Sequence, residues 1–161
     1  MSSELFLDTG ALVSLLDRSQ SRYREFSDFF SAWSGQVLTS EAVLTVATHL
    51  LTRVPGGALA CLDFVLSGGA LLVPTGTASL RRGRQLMQQY ADCPMDFADA
   101  TLVVLAADLG TDLVLTTDRR DFSVYRIGGR KRFRIPVRLD MFGTYRSQVQ
   151  ILSPRPIKSN N

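Results

Sequence analysis

The apolar residues of this chain switch repeatedly between short continuous runs and helical spacing, and the order of those switches predicts an architecture. Residues 4–7, ELFL, form a first strand-like run that passes at once into DTGALVSLLD, whose apolar positions recur at helical spacing. A helix over Arg22 to Trp33, the short strand QVLT and an amphipathic helix SEAVLTVATHLLTR follow, with Ser40 placed as N-cap and Pro55, Gly56 and Gly57 as the stop. ALACLDFVL reads as helix, Gly68 and Gly69 as a break, ALLVP as strand, and SLRRGRQLMQQYA as helix again. Residues 96–108, DFADATLVVLAAD, form a strongly apolar helix closed by Gly110. DLVLTT is a continuous run of the type buried inside a parallel sheet, and a last strand is expected around RFRIPV. Strands that alternate with helices in this way predict an α/β fold: a three-layer α/β/α sandwich around a mostly parallel sheet of four or five strands.

At 161 residues and 45% hydrophobic content, the chain suits one domain with one core, set at residues 1–142. Residues 143–161 carry two prolines, a polar end and little periodicity, and read as a poorly ordered tail. No run approaches the roughly 20 apolar residues of a membrane span, and MSSELFLDTG lacks the basic start and cleavage site of a signal peptide. A cytoplasmic protein is expected. Cys61 and Cys93 match no zinc or redox spacing and receive no function. Charge is unevenly divided: residues 1–118 hold 7 basic and 13 acidic side chains, whereas residues 119–161 hold 11 basic and 2 acidic. RIGGRKRFRIPVR, with Arg126, Arg130, Lys131, Arg132, Arg134 and Arg138, is compatible with a strip that tracks a phosphate backbone and equally with a solvated edge strand.

In open parallel sheets, sites form at the carboxyl ends of strands, and several acids fall there. Asp8 follows the first strand, Glu41 lies just beyond QVLT, and Asp118 directly follows DLVLTT. Asp99 joins from a helix, with Asp96 one turn earlier on nearly the same face. Each alone is compatible with a cap or a dipole partner, and Asp118 and Asp121 with turn residues. Four carboxylates gathered at one edge, however, repel by about 4 kcal/mol per pair at ~4 Å and an effective dielectric near 20. A hard divalent cation offsets that cost, and an all-oxygen donor set selects Mg²⁺ or Mn²⁺ over zinc.

Competing chemistries lack their residues. His49 is the single histidine and sits mid-helix among apolar neighbours, where packing is expected, so neither a Ser-His-Asp triad nor a two-histidine ribonuclease is available. No G-x-x-x-x-G-K-[ST] or G-x-G-x-x-G motif occurs, and the glycine pair at 128 and 129 is no phosphate loop. A phosphatase of the aspartyl-phosphate type needs an Asp two residues after the first, and position 10 is Gly.

LFLDTGALVSLLD, TSEAVLTVATHLL, PMDFADATLVVLAADLG and LVLTTDRRDF resemble, in order, the four sequence blocks of the PIN domain, and most closely the VapC-type toxins of bacterial toxin–antitoxin pairs. The resemblance spans about residues 4–137. It implies an endoribonuclease whose Mg²⁺ is held by Asp8, Glu41, Asp99 and Asp118, with Asp96 accessory and Asp121 less firmly placed. Thr9, Ser40 and Thr117 match small hydroxyl positions beside those acids. It further implies an RNA substrate, a homodimer and a cognate antitoxin. Two rival readings stay open: a catalytically inert PIN-like protein-binding module, and a metal-dependent nuclease acting on other nucleic acid.

Overall fold

A computed structural model describes residues 3–136. It contains β1 (Glu4–Leu7), α1 (Thr9–Leu16), α2 (Tyr23–Ala32), β2 (Gln36–Ser40), α3 (Glu41–Leu50), α4 (Gly57–Leu66), β3 (Leu71–Val73), α5 (Thr77–Gln89), α6 (Phe97–Leu109), β4 (Val114–Leu115), α7 (Arg119–Val124), β5 (Arg126–Ile127) and β6 (Lys131–Arg132). The main sheet runs β3-β2-β1-β4, every pair parallel, with Phe6 set against Leu38 on one side and Val114 on the other. Leu5, Phe6 and Leu7 are wholly buried, as a central parallel strand covered on both faces requires. This is the expected α/β fold with a mostly parallel four-stranded sheet.

Helix α6 is apolar nearly all round, and accordingly every residue from Ala98 to Ala106 is buried. It packs against α5, α3, β2 and β5, while α3 also packs on α1 and α4. Asp96 caps its first turn and Gly110, with φ 72°, ends it in the left-handed conformation that glycine adopts without strain.

Three local expectations change. The fifth strand shrinks to one parallel bridge, Leu113 with Arg134, held by Val114 N–H to Arg134 O and Arg134 N–H to Asp112 O. Residues 119–124, read from sequence as a turn, close into α7. His49 is exposed rather than packed: Val43 and Ala47 set the buried face of α3, and position 49 lies two residues, about 200°, further round. The Gly128–Gly129 pair turns the chain between β5 and β6: both glycines take positive φ (56° and 76°), and Ile127 stands opposite Lys131 across residues 128–130. Among the described residues, no helix is long and apolar enough to cross a membrane. The expected tail, residues 143–161, and Arg138 lie outside the described residues.

Candidate active site

The carboxyl end of β1 runs straight into α1, and Asp8 stands at the junction as N-cap. Its Oδ1 accepts from Thr9 N–H at 2.6 Å and its Oδ2 from the Thr116 hydroxyl at 2.7 Å. The same Thr116 oxygen accepts from the backbone N–H of Asp118 at 2.8 Å. One buried hydroxyl at the end of β4 therefore fixes the Asp8 side chain and the backbone that carries Asp118. Helix α1 also needs glycine at position 10: a Cβ there would lie 1.9 Å from Thr117 Oγ1 and within 3.4 Å of Thr117 Cβ and Cγ2. Rotating Thr117 cannot clear all three atoms, so Gly10→Ala should push the 117–118 backbone outward and cost about 1–3 kcal/mol. Chemical denaturation checks this, and adding Thr117→Ala should recover most of the loss; an unshifted unfolding midpoint for Gly10→Ala would contradict the close approach.

From the other side, the first turn of α6 presents two acids. Asp96 Oδ1 accepts from Asp99 N–H at 2.8 Å, which leaves the Asp99 side chain pointing inward, 9% exposed. Its Oδ2 accepts from the Tyr125 hydroxyl at 3.2 Å, a donor that lies equally near Pro94 O. Tyr125 is held edge-on between Tyr90 and Phe122, at centroid distances of 5.2 and 5.3 Å, so its hydroxyl has little freedom to turn away. Beneath them a buried relay ties α3 to α6. Ser40 Oγ caps α3 at Val43 N–H and lies 2.7 Å from Thr101 Oγ1, whose own proton goes to Ala98 O.

The acids feel one another. Burial, then the charges of Asp8 and Asp96, push Asp99 up to about 8, against the lowering effect of the Tyr125 hydrogen bond. Burial also lifts Asp8 to about 6, although its bonds to Thr116 and Thr9 pull the other way, and Asp96 and Asp118 add to the rise. Asp118 is raised by burial, then by Asp121 and Asp96. Asp8, Asp96, Asp99 and Asp118 thus form one electrostatic cluster.

Glu41 meets the cluster only through the groove it shares with Asp96. It is exposed at the start of α3, and its charge is not among the leading influences on Asp8, Asp99 or Asp118. With Asp96 it lines an open groove of about 400 Å³ between α3 and α6, completed by Ala42, Thr45, Val46, Thr75, Phe97 and Ala98. Asp121 is near the cluster's edge, where it accepts from Cys93 Sγ at 3.6 Å. Of the hydroxyls, Ser40 is placed as above, Thr9 Oγ1 is buried with no hydrogen-bond partner, and Thr117 is exposed. Thr116, not Thr117, bonds to Asp8. Thr116, Thr101 and Tyr125 were not singled out by sequence; alternation along DLVLTT, which turns 116 inward if 114 points inward, was the available signal for the first.

The basic segment is partly occupied with structure. Lys131 and Arg134 both pair with Asp112, at 2.9 and 2.6 Å, and Arg126 donates to the carbonyls of Ser123, Val124 and Tyr125 at the end of α7. Arg134 also pairs with Leu113, at the amino end of β4, whereas Asp118 follows its carboxyl end about 16 Å of extended chain away. Lys131 and Arg134 thus brace the sheet edge, and Arg126 closes the end of α7.

A divalent cation suits the cluster chemically. All side-chain donors are oxygens, and the buried Thr9 hydroxyl, which has no hydrogen-bond partner, lies next to Asp8. Among the described residues, no three His, Cys, Asp or Glu side chains already form a cage for an ion, so the exposed Asp96 and Asp118 would have to move to complete one.

A parallel sheet that gathers carboxylates at its carboxyl edge, with one acid capping the first helix and two at the start of a buried helix, defines a class of α/β domains with an acidic site at the strand ends. The chain belongs to the PIN domain family, which matches residues 5–128. It is 31% identical, over 133 residues, to Ribonuclease VapC26 of Mycobacterium tuberculosis, covering 81% of this chain and 98% of the relative. Among solved structures, the fold is similar to Mycobacterium tuberculosis VapC20, a sarcin–ricin loop cleaving toxin (TM-score 0.68, 19% identity, 73% of this chain and 92% of that one). It is also similar to DNA-bound VapBC from Salmonella typhimurium (TM-score 0.58, 19% identity, 84% and 98%) and to VapBC2 from Rickettsia felis on a promoter fragment (0.56, 14%, 82% and 98%).

Proposed function

We propose that this chain is a Mg²⁺-dependent endoribonuclease and the toxin partner of an antitoxin. The observation that carries the reading is the shared electrostatics of Asp8, Asp96, Asp99 and Asp118, two of them buried with carboxyls lifted to about 6 and about 8. Kinship to a VapC ribonuclease and a fold shared with VapBC complexes support the same assignment. Asp8, Asp99 and Asp118 would hold the ion, with Asp96 at the side facing the groove and Glu41 across from it. When bound, Mg²⁺ supplies electrostatic stabilisation of the phosphodiester and acidifies the attacking water. The protein's own part is positioning: Thr116 holds Asp8, and Tyr125 holds one oxygen of Asp99, which leaves the other to take a proton. Exposed Arg130 and Arg132, which are not engaged by Asp112, are the described cations of the basic segment left for RNA phosphates.

Purified protein should cut single-stranded RNA in Mg²⁺ and lose all cleavage in excess EDTA, with Mn²⁺ restoring it. Gel analysis with mapping of the new 5′ ends checks this. Full activity in EDTA would rule out the metal, and no cleavage of any RNA in Mg²⁺ would rule out the ribonuclease.

A further inference from the structure

The groove between α3 and α6 is unusual beside an acidic site, because most of its wall is apolar. Ala42, Val46, Phe97 and Ala98 form that wall, Thr45 and Thr75 add hydroxyls, and Glu41 and Asp96 stand at its acidic side. Asp96 lines this groove and also caps the turn that carries Asp99, 2.8 Å from its N–H, so whatever fills the groove lies beside the acids. Phe97 is the first residue of α6, between Asp96 and Asp99 in sequence, and is 36% exposed although it belongs to the helix that anchors the core. Its ring edge rests on α5 at Gly83, where an added Cβ would sit 3.4 Å from Phe97 Cε2. A backbone seat of that kind supports the ring without covering it.

A polyanion gains nothing from apolar wall, and carboxylates on the rim repel it; a flat, uncharged, stackable group with polar edges does gain. On the nuclease reading, such a group comes attached to the substrate. We infer that the groove is a nucleobase subsite: Phe97 stacks the unpaired base of a nucleotide adjoining the cleaved bond, with Thr45 and Thr75 at the base's edge. This rests on the proposed ribonuclease activity and adds to it a residue that positions the substrate, since a base held in a duplex cannot reach the ring without being unstacked.

The test is a comparison of Phe97→Leu and Phe97→Tyr with wild type. Leu keeps apolar volume over Gly83 and removes the aromatic face; Tyr keeps the face. Thermal unfolding of each variant establishes that it is folded. Binding is read by fluorescence anisotropy on labelled single-stranded oligonucleotides of about twelve residues. One pool carries intact 2′-deoxynucleotides at its centre and a second carries abasic spacers there; cleavage is followed in parallel on the all-RNA pool. In wild type, the abasic pool should bind about 5-fold or more weaker than the intact one. Phe97→Leu should weaken the intact pool by a similar factor and erase the difference between pools, and Phe97→Tyr should restore it. An intact-to-abasic difference that persists undiminished in Phe97→Leu overturns the subsite, as would its pointing instead to a protein segment by leaving RNA binding untouched while weakening a bound antitoxin. Wild type that binds the intact pool better than the abasic one but cuts no RNA overturns the nuclease reading and leaves the stacking comparison standing.

Discussion

Asp99→Asn is expected to lower RNA cleavage about 100-fold or more while leaving the protein folded. The side chain is buried and its carboxyl is lifted to about 8 by burial and by Asp8 and Asp96, so the folded protein already tolerates an uncharged group of this shape. An amide keeps the hydrogen bond from Tyr125 through its oxygen but can neither balance a cation nor accept a proton. Tyr125→Phe should cost less, about 10-fold, because it removes only the donor that orients Asp99 and not the carboxylate. The two losses should not add in the double variant, since each acts through the same carboxyl group. Initial rates on one RNA across the four proteins decide the matter. Equal rates for wild type and Asp99→Asn would remove Asp99 from the chemistry, and additive losses would place Tyr125 outside its influence.

That Asp99 could be singled out from sequence, and Tyr125 could not, shows where linear reading stops. Asp8, Ser40 and Asp96 were legible because each marks a strand or loop end that feeds a helix, and capping geometry is local. The same locality makes them ambiguous: the structure shows all three capping helices, so a cap and a site residue are here the same side chain. Tyr125 meets Asp99 across 26 residues, and Thr116 meets Asp8 across 108, contacts set by sheet order rather than by spacing. Thr117 in place of Thr116 is a one-residue error, which along a strand exchanges the buried for the exposed face. Charge counting misled in another way. Lys131 and Arg134 look like phosphate ligands in the linear sequence, yet the bridge to Leu113 brings them to Asp112, a partner 19 and 22 residues earlier. The glycine pair, set aside as a phosphate loop from sequence, uses its two positive φ values in a hairpin. Period and capping thus yielded the elements and their order, and only the fold could say which hydroxyls and cations serve the acids.

The same acids should make the metal-free protein weaken as the solution becomes more alkaline, an effect opposite to ordinary acid denaturation. Asp8 and Asp99 hold their protons more tightly folded, to about 6 and about 8, than an unfolded chain does near 3.8. Between those limits the native state binds more protons than the unfolded one, so stability is greatest at the acid end of the window and is lost as pH rises through 6 and then 8. Asp17, Glu25 and Asp112 are shifted downward by hydrogen bonds and basic neighbours, and their contribution is lost only as pH falls below the ordinary carboxylate range. They shape the acid limb and leave the interval from pH 5 to 8.5 to the cluster. In EDTA, Tm should therefore fall by about 5 °C or more across that interval, and Asp99→Asn should remove most of the fall and unfold at a higher temperature than wild type at pH 8.5. Mg²⁺ should reverse the trend for wild type alone, raising Tm most at alkaline pH, where no proton competes for the carboxylates, by an amount equivalent to about 2.7 kcal/mol at a hundred times its Kd. A Tm that stays level in EDTA, or a slope that Asp99→Asn leaves unchanged, would mean that the cluster's repulsion is relieved by solvent and not reserved for a cation.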